Sequence, residues 1–379
     1  MDFTFDDEQQ ALREAVRGLV GKRYGDYETR RRTVAGEPGF DEELWQRLAE
    51  MGVLGLPFAE EDGGVGAGPV EVGIVAEELG RVLAPEPYVA AVVLAGGLAA
   101  ELGTPEQRSA LIGPLAAGET LLTFAHAEAG SRWQPTAQAV RAERDGDGWR
   151  LTGTKEPVPH GVRADQLLVS AALPDGGTGL FWVTGDAEGL SRTTSRTIDG
   201  GRSARVDLER CPAQPLGAGG DATAAIERAL HATRVAAGNQ AVGTMESALR
   251  ITAGYLTSRK QFGVTLNTFQ ALTFRAADLY VALELTKSLV GWATMVEAED
   301  PDSLADAATR ASLQVCRAGR LIGQEAIQLH GGIGMTAEYA IGAHTAHLVA
   351  LEQWLGTGSH HLGALAVTVA DHAEVDPIR

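Results

Sequence analysis

Apolar residues recur at helical spacing from the start of the chain. Between Asp6 and Tyr24 the positions Ala11, Leu12, Ala15, Val16, Leu19 and Val20 share one face, and Asp6 and Asp7 stand where a helix start favours negative charge. The period returns from Phe40 to Gly52, with Leu44, Trp45, Leu48 and Met51 on one side and Gly52 as the stop. Between these segments the basic run Arg30 to Arg32 reads as a solvated surface loop. After a glycine-rich loop, helices are expected at Val70 to Leu79, Tyr88 to Leu102 and Pro105 to Leu115.

Near Glu119 the pattern changes. From Leu121 to Leu216 short runs of β type (LLTFAHA, AVRAERD, WRLTGTK, QLLVSAAL, GLFWVTG, SARVDLE) are separated by Asp and Gly turns at Asp145 to Gly148 and Asp175 to Gly177. They predict a small antiparallel barrel or sandwich. Helical spacing resumes at Asp221 and continues to His372, with breaks expected at Gly254-Tyr255, Glu297 to Asp302 and Gly331 to Gly334. The expected class is mainly α with a central antiparallel β domain, divided as 1–118, 119–218 and 219–379. No internal repeat or low-complexity segment interrupts this layout.

Length and charge narrow the function. A chain of 379 residues can hold two or three domains and bury a large core. Its formal charge of -18 opposes nucleic acid and anionic membranes as partners, so an anionic cofactor must meet local arginines. Cys211 and Cys316 lack any CxxC spacing and read as ordinary thiols of a reducing cytoplasm. The acidic opening MDFTFDDEQQ does not have the pattern of a signal peptide, and the apolar run Tyr88 to Leu102 is too short to span a bilayer.

Two stretches carry candidate chemistry. From Gln324 to Tyr339 (QEAIQLHGGIGMTAEY) an apolar helical run stops at Gly331-Gly332, with a third glycine at Gly334, which lets a backbone lie close against something flat or charged. On the glycines alone, a plain helix end explains the same residues. The second stretch, Arg259 to Gln270, reads RKQFGVTLNTFQ. Together with FTFDDEQQALREAVRGLV, LWQRLAEMGVLGLPFAEEDGGVG and LTGTK, in that order, the set resembles the acyl-CoA dehydrogenase family over nearly the whole chain.

The resemblance implies the family's three-domain fold and an FAD extended between two subunits. It gives Arg259 to the pyrophosphate, with Gln261 in the same QFG motif, Phe262 as an aromatic surface beside the cofactor, and Gln270 as donor and acceptor. Gln328, Gly331 and Gly332 match the segment that receives the dinucleotide from the other subunit. Arg234 matches a family arginine near the acyl-CoA, where a CoA phosphate or an interface carboxylate would pair with it, and Ser131 belongs to a retained Gly130-Ser131 pair on the CoA side.

The family's reaction needs a carboxylate to take the α-proton while the flavin accepts the β-hydride. In most members it is a glutamate before Gly-Thr; here Leu355 precedes Gly356-Thr357. The other family position, just before the matched arginine, is Thr233, whose hydroxyl is no base at neutral pH without an activating partner. Glu246 lies more than three turns further along that helix and reads as a surface or interface residue.

Other departures agree. The strand usually ending Thr-Glu-Pro before Gly-Ser-Asp reads AHAEAGSRW, with Arg132 after Ser131, and the expected tryptophan after LTGTK is replaced by Glu156 to Val158. His126, nearest the expected flavin, reads as a flavin hydrogen-bonder or a core residue. His344, His347, His360 and His361 have metal-like spacing but only Glu352 to complete a site.

A dehydrogenase frame without its base resembles the heteromeric actinobacterial steroid side-chain acyl-CoA dehydrogenases, α2β2 assemblies in which one subunit carries the glutamate. That resemblance implies a non-catalytic subunit with acyl-CoA and a homologous catalytic chain as partners, a homo-oligomer being the other arrangement. Two rivals share the fold class: a flavin monooxygenase or nitroalkane oxidase, which Arg234 and Gly130-Ser131 oppose, and a scaffold binding neither FAD nor CoA, which Arg259 and Gln328 oppose.

Overall fold

The computed structural model describes residues 4–369 apart from Arg132 and Asp147, so the expectations placed on those two positions and on His372 lie outside the described residues. The first helix, α1 (Asp7–Tyr24), begins with a reciprocal cap in which the Asp6 carboxylate accepts the Gln9 amide and the Gln9 side chain accepts that of Asp6.

Next comes α2 (Tyr27–Ala35), where a loop was expected. Its three arginines point different ways. Arg30 is buried and donates to the Leu83 carbonyl at 3.1 Å and the Asp199 carbonyl at 2.8 Å, while Arg31 pairs with Glu28 and Arg32 reaches Thr29. Carbonyls from distant segments decide this, and a single sequence does not display them.

Four more helices complete the N-terminal part: α3 (Glu42–Glu50), α4 (Pro69–Arg81), a π-helical stretch Tyr88–Gly96 leading into α5 (Gly97–Leu102), and α6 (Pro105–Ala116). Then come β1 (Leu122–Ala125), β2 (Arg141–Asp145), β3 (Gly148–Pro159), β4 (Gln166–Ala172), β5 (Thr178–Thr184), β6 (Leu190–Arg196) and β7 (Arg202–Pro215). The strands join in the order β1-β4-β2-β3-β7-β5, with β4 also paired to β5 and β6 to β7.

Most pairings are antiparallel, but β4 runs parallel to β1 and, at Arg141 and Ala172, to β2, because the β2–β3 hairpin intervenes before the chain returns beside β1. Sequence patterning misses β6. Its residues LSRTTSR are almost all exposed, so no apolar alternation marks it.

The C-terminal helices are α7 (Thr223–Ser258), α8 (Gln270–Glu299), α9 (Leu304–His330), α10 (Ile341–Leu355) and α11 (Gly358–Thr368). Helix α7 runs through the expected break at Gly254-Tyr255. Gly254 is exposed and costs a helix only about 1 kcal/mol, which packing along the other turns outweighs.

One continuous apolar core joins N-terminal residues such as Leu48, Leu79 and Leu98 to C-terminal ones such as Met245, Val290 and Ile322; the sheet encloses a second around Leu151, Phe181 and Val206. Two glycines bring α4 onto α7. A Cβ on Gly80 would stand 1.9 Å from the Gln240 carbonyl oxygen, and one on Gly243 would stand 2.0 Å from that of Glu77. Glu78, fully buried on α4, accepts from Arg13 at 3.1 Å, Arg17 at 2.6 Å and Arg81 at 2.8 Å, which fixes α1 against this pair. Glu246, expected at a surface or interface, is half-buried with Oε2 lacking a hydrogen-bond partner. No helix among the described residues is long and apolar enough to cross a membrane.

Candidate functional site

Helix α7 ends at Arg259, whose backbone turns extended at φ -72° and ψ 129°. Its guanidinium makes no hydrogen bond or ion pair among the described residues and lies exposed. Beyond it β8 (Lys260–Gln261) pairs with β9 (Val264–Thr265) around Phe262 and Gly263, both at positive φ, the geometry a two-residue hairpin requires. The Phe262 side chain is 92% exposed and meets the edge of Phe269, with ring centres 6.2 Å apart. Gln261 is exposed and bonds the Lys260 carbonyl; Gln270 opens α8, also exposed.

The glycine turn lies next to this hairpin's helix. Helix α9 stops where Gly331 takes φ 63° and ψ -139°, a conformation that favours glycine. A Cβ on Gly331 or Gly332 would meet nothing within 4 Å, so the surface beside them is open. Gln328 is exposed there, and its amide has no hydrogen-bond partner among the described residues. Sequence reasoning missed what joins the two motifs: His330 is buried with its ring 4.5 Å from Tyr255 of α7 and 5.0 Å from Tyr339. The ends of α7 and α9 are thereby held side by side.

Neither base position holds a carboxylate. Thr233 is fully buried and its hydroxyl donates to the Ala229 carbonyl at 2.6 Å, the local back-bonding of a helical threonine. Leu355 is the last residue of α10, buried, and its carbonyl accepts from Arg234 Nε at 3.0 Å. Arg234 also lies 3.2 Å from His231 Nδ1 and has no carboxylate partner among the described residues. Burial lowers its pKa to about 10. The guanidinium therefore remains charged at neutral pH, favoured by the negative end of α10.

Burial, then the same charge, push His361 down to about 3, and burial followed by Arg234 holds His231 at about 4. Both imidazoles are neutral. His231 Nδ1, as the neutral acceptor of the Arg234 proton, already has its partner.

On the sheet side, Ser131 sits half-buried after Gly130, whose φ is 86°. Trp133 reaches across to the helices, donating Nε1–H to the Gln353 carbonyl at 3.1 Å with its ring 5.2 Å from His360. It closes one side of a cavity of about 130 Å³ bordered by Phe124, Pro157, Arg234 and Leu355. Ligand pockets usually begin at about 300 Å³, so the space is narrow.

His126 lines this cavity, but both its nitrogens are occupied, by Ser170 Oγ at 2.8 Å and the Gln134 carbonyl at 2.6 Å. Its ring stacks on Phe124, and burial with the Lys155 charge lowers its pKa to about 4. Behind it Lys155 and Glu128 form a fully buried ion pair at 2.6 Å, with Glu128 also accepting three backbone amides of residues 138–140. His126 thus belongs to a structural network. Among the described residues, no group of three or more His, Cys, Asp or Glu is placed to hold a metal ion.

Comparison with known proteins matches both helical parts to one family. Residues 6–119 match the acyl-CoA dehydrogenase N-terminal domain and residues 221–369 its C-terminal domain. Acyl-CoA dehydrogenase FadE27 of Mycobacterium tuberculosis is 30% identical over 313 residues, covering 80% of this chain and 82% of that protein. The ChsE4-ChsE5 complex from Mycobacterium tuberculosis aligns with a TM-score of 0.89 at 29% identity, covering 99% of this chain and 100% of that one. A variant of the Tcur3481-Tcur3483 steroid ACAD aligns with a TM-score of 0.88 at 34% identity, covering 96% and 98%.

Proposed function

Because the chain belongs to the acyl-CoA dehydrogenase family, we propose that it is the non-catalytic subunit of a heteromeric enzyme that dehydrogenates an acyl-CoA, with a steroid side-chain thioester as the substrate class. The observation that carries this reading is the pairing of Arg234 with the Leu355 carbonyl, at a place where the reaction requires a carboxylate. Thr233 offers no substitute, since its proton is already given to the helix. The steroid class and the two-chain assembly draw support from the printed descriptions of the Tcur3481-Tcur3483 and ChsE4-ChsE5 relatives.

The surface residues fit an FAD. An unpaired guanidinium at Arg259, an open backbone at Gly331 and Gly332 and an unpartnered amide at Gln328 form the donor set that a dinucleotide pyrophosphate needs. When bound, FAD supplies the acceptor for the hydride leaving the β-carbon.

This chain's own residues bind and orient. Arg259 neutralises phosphate charge, Gln261, Gln270 and Gln328 offer amides, and Phe262 covers an aromatic face. Arg234 and Ser131 stand on the CoA side, while the proton-abstracting carboxylate comes from the partner. Exposed Phe274, Val281 and Leu285, spaced seven and four residues apart on α8, form an apolar stripe suited to a homologous subunit in an α2β2 assembly.

Co-expression with a homologous chain that carries the glutamate, followed by flavin quantitation per tetramer, tests the proposal. The expected ratio is one FAD per pair of unlike chains, with no turnover by this chain alone. Full flavin loading and steady acyl-CoA oxidation by the isolated chain would overturn it, and a colourless tetramer would favour the scaffold reading.

A further inference from the structure

The exposed donors of the two motifs sit on separate helices, so their spacing depends on what holds the backbone beneath them. At the end of α7 the Arg259 amide donates to the Tyr255 carbonyl at 2.8 Å, and the Arg259 carbonyl accepts from the Leu266 amide at 2.9 Å. At the end of α9 the Gly331 amide donates to the Gln328 carbonyl, and Gly334 lies buried under the turn. A Cβ on Gly334 would stand 2.7 Å from the Ile327 carbonyl oxygen and 3.0 Å from His330 Cβ, so glycine lets the turn fold back onto the helix. Each motif is thus pinned to the last turn of its own helix.

One side chain joins the two ends. His330, 3% exposed, packs against Tyr255 of α7 and Tyr339 beyond the turn, with ring centres at 4.5 Å and 5.0 Å, and the two tyrosine rings meet edge to face at 6.5 Å. These separations fall where aromatic rings attract. His330 Nδ1–H donates to the Ala326 carbonyl of its own helix at 2.7 Å, and Nε2 is buried without a partner among the described residues. Burial lowers the imidazole pKa, so the ring is uncharged at neutral pH. Neither nitrogen bonds to α7; between the helices the ring supplies shape and aromatic surface.

We propose that His330 is a positioning residue for the dinucleotide: the Tyr255–His330–Tyr339 cluster sets the distance from the Arg259 guanidinium to the Gln328–Gly332 backbone, so that one FAD meets both. The role presupposes FAD at the Arg259 surface, the reading given above, and names what fixes its geometry. A charge-assisted bond to phosphate is strong only near its ideal length and direction. Tyr255 stands one helical turn before Arg259, so a shift of the ring cluster carries the guanidinium with it.

The test uses the full chain co-purified with its partner, stripped of flavin and titrated with FAD by flavin fluorescence. His330→Ala should weaken FAD roughly tenfold, the worth of one charge-assisted bond. Arg259→Ala should do the same alone and add little in the His330→Ala background, since a misplaced guanidinium has already lost its bond. His330→Phe keeps an aromatic ring and should bind FAD within about twofold of wild type. If His330→Ala fails to fold, Tyr339→Leu, at a half-buried position, takes its place in the cycle. Losses that multiply to roughly a hundredfold in the double variant, or a His330→Phe protein as weak as His330→Ala, would overturn the proposal. So would undiminished FAD affinity beside a lowered melting temperature, the mark of a residue that only supports the fold. A wild-type complex that takes up no FAD would instead remove the flavin reading, and this role with it.

Discussion

Helices α4 and α7 carry much of the functional frame, and a single methyl group tests how they meet. At Gly243 a Cβ would lie 2.0 Å from the Glu77 carbonyl oxygen and 3.0 Å from the Arg81 amide nitrogen, both backbone atoms of α4. Real Cβ contacts stay beyond 3.0 Å, so Gly243→Ala must part the helices by about 1 Å.

Overpacking costs about 1–3 kcal/mol, and with rigid backbone on both sides the upper end applies. The gain in helix propensity returns about 1 kcal/mol, leaving a net loss of about 2 kcal/mol. Gly18, exposed on α1 with nothing within 4 Å of a Cβ, is the matched control, and Gly18→Ala should gain about 1 kcal/mol. Unfolding free energies from urea titration at fixed protein concentration would then differ by about 3 kcal/mol between the variants, since assembly shifts both equally. A Gly243→Ala protein as stable as wild type would refute the close approach of the two helices.

Three further outcomes are expected. Arg259→Ala should lower the flavin content of the co-purified complex, weakening FAD roughly tenfold through a lost charge-assisted bond, yet change chain stability by no more than about 0.5 kcal/mol because the side chain is exposed and unpaired; absorbance near the flavin band and a melting curve read the two effects. Lys155→Met strands the buried Glu128 charge and should cost about 3–5 kcal/mol, part of it recovered by adding Glu128→Gln; an unchanged melting temperature would count against the pair. Acid should destabilise the fold between pH 6.5 and 4.5. In that window the unfolded chain protonates His126, His160, His231, His344 and His361, which burial keeps at about 4 or about 3 in the folded state, whereas the folded chain holds extra protons on Glu86 and Glu297, raised by burial to about 7 and about 8. The balance of three protons gives a loss of up to roughly 4 kcal/mol per pH unit, and urea midpoints that stay level across the window would contradict it.

The helices with a one-sided apolar period and a capping residue, such as α1 after Asp6 and α3 after Asp41, were legible in advance because local spacing alone produces them. So were the apolar strands, and so was the missing base, since Leu355 and Thr233 need only be counted from neighbouring motifs. Strand β6 and helix α2 were not, because one has two wet faces and the other hides Arg30 against carbonyls more than fifty residues away.

By itself the sequence determined the succession of helical, β and helical segments, the two exposed motifs and the absence of a carboxylate. Those follow from residue type and spacing along one strand of chain. Only the tertiary structure decided that His330 joins the two motifs, that Trp133 narrows the cleft, that Lys155 answers Glu128, and that Glu86, His160 and His347 share one cavity. Each of these is a contact between residues distant in sequence. Burial, not residue identity, sets whether such a polar group is satisfied, shifted or left without a partner.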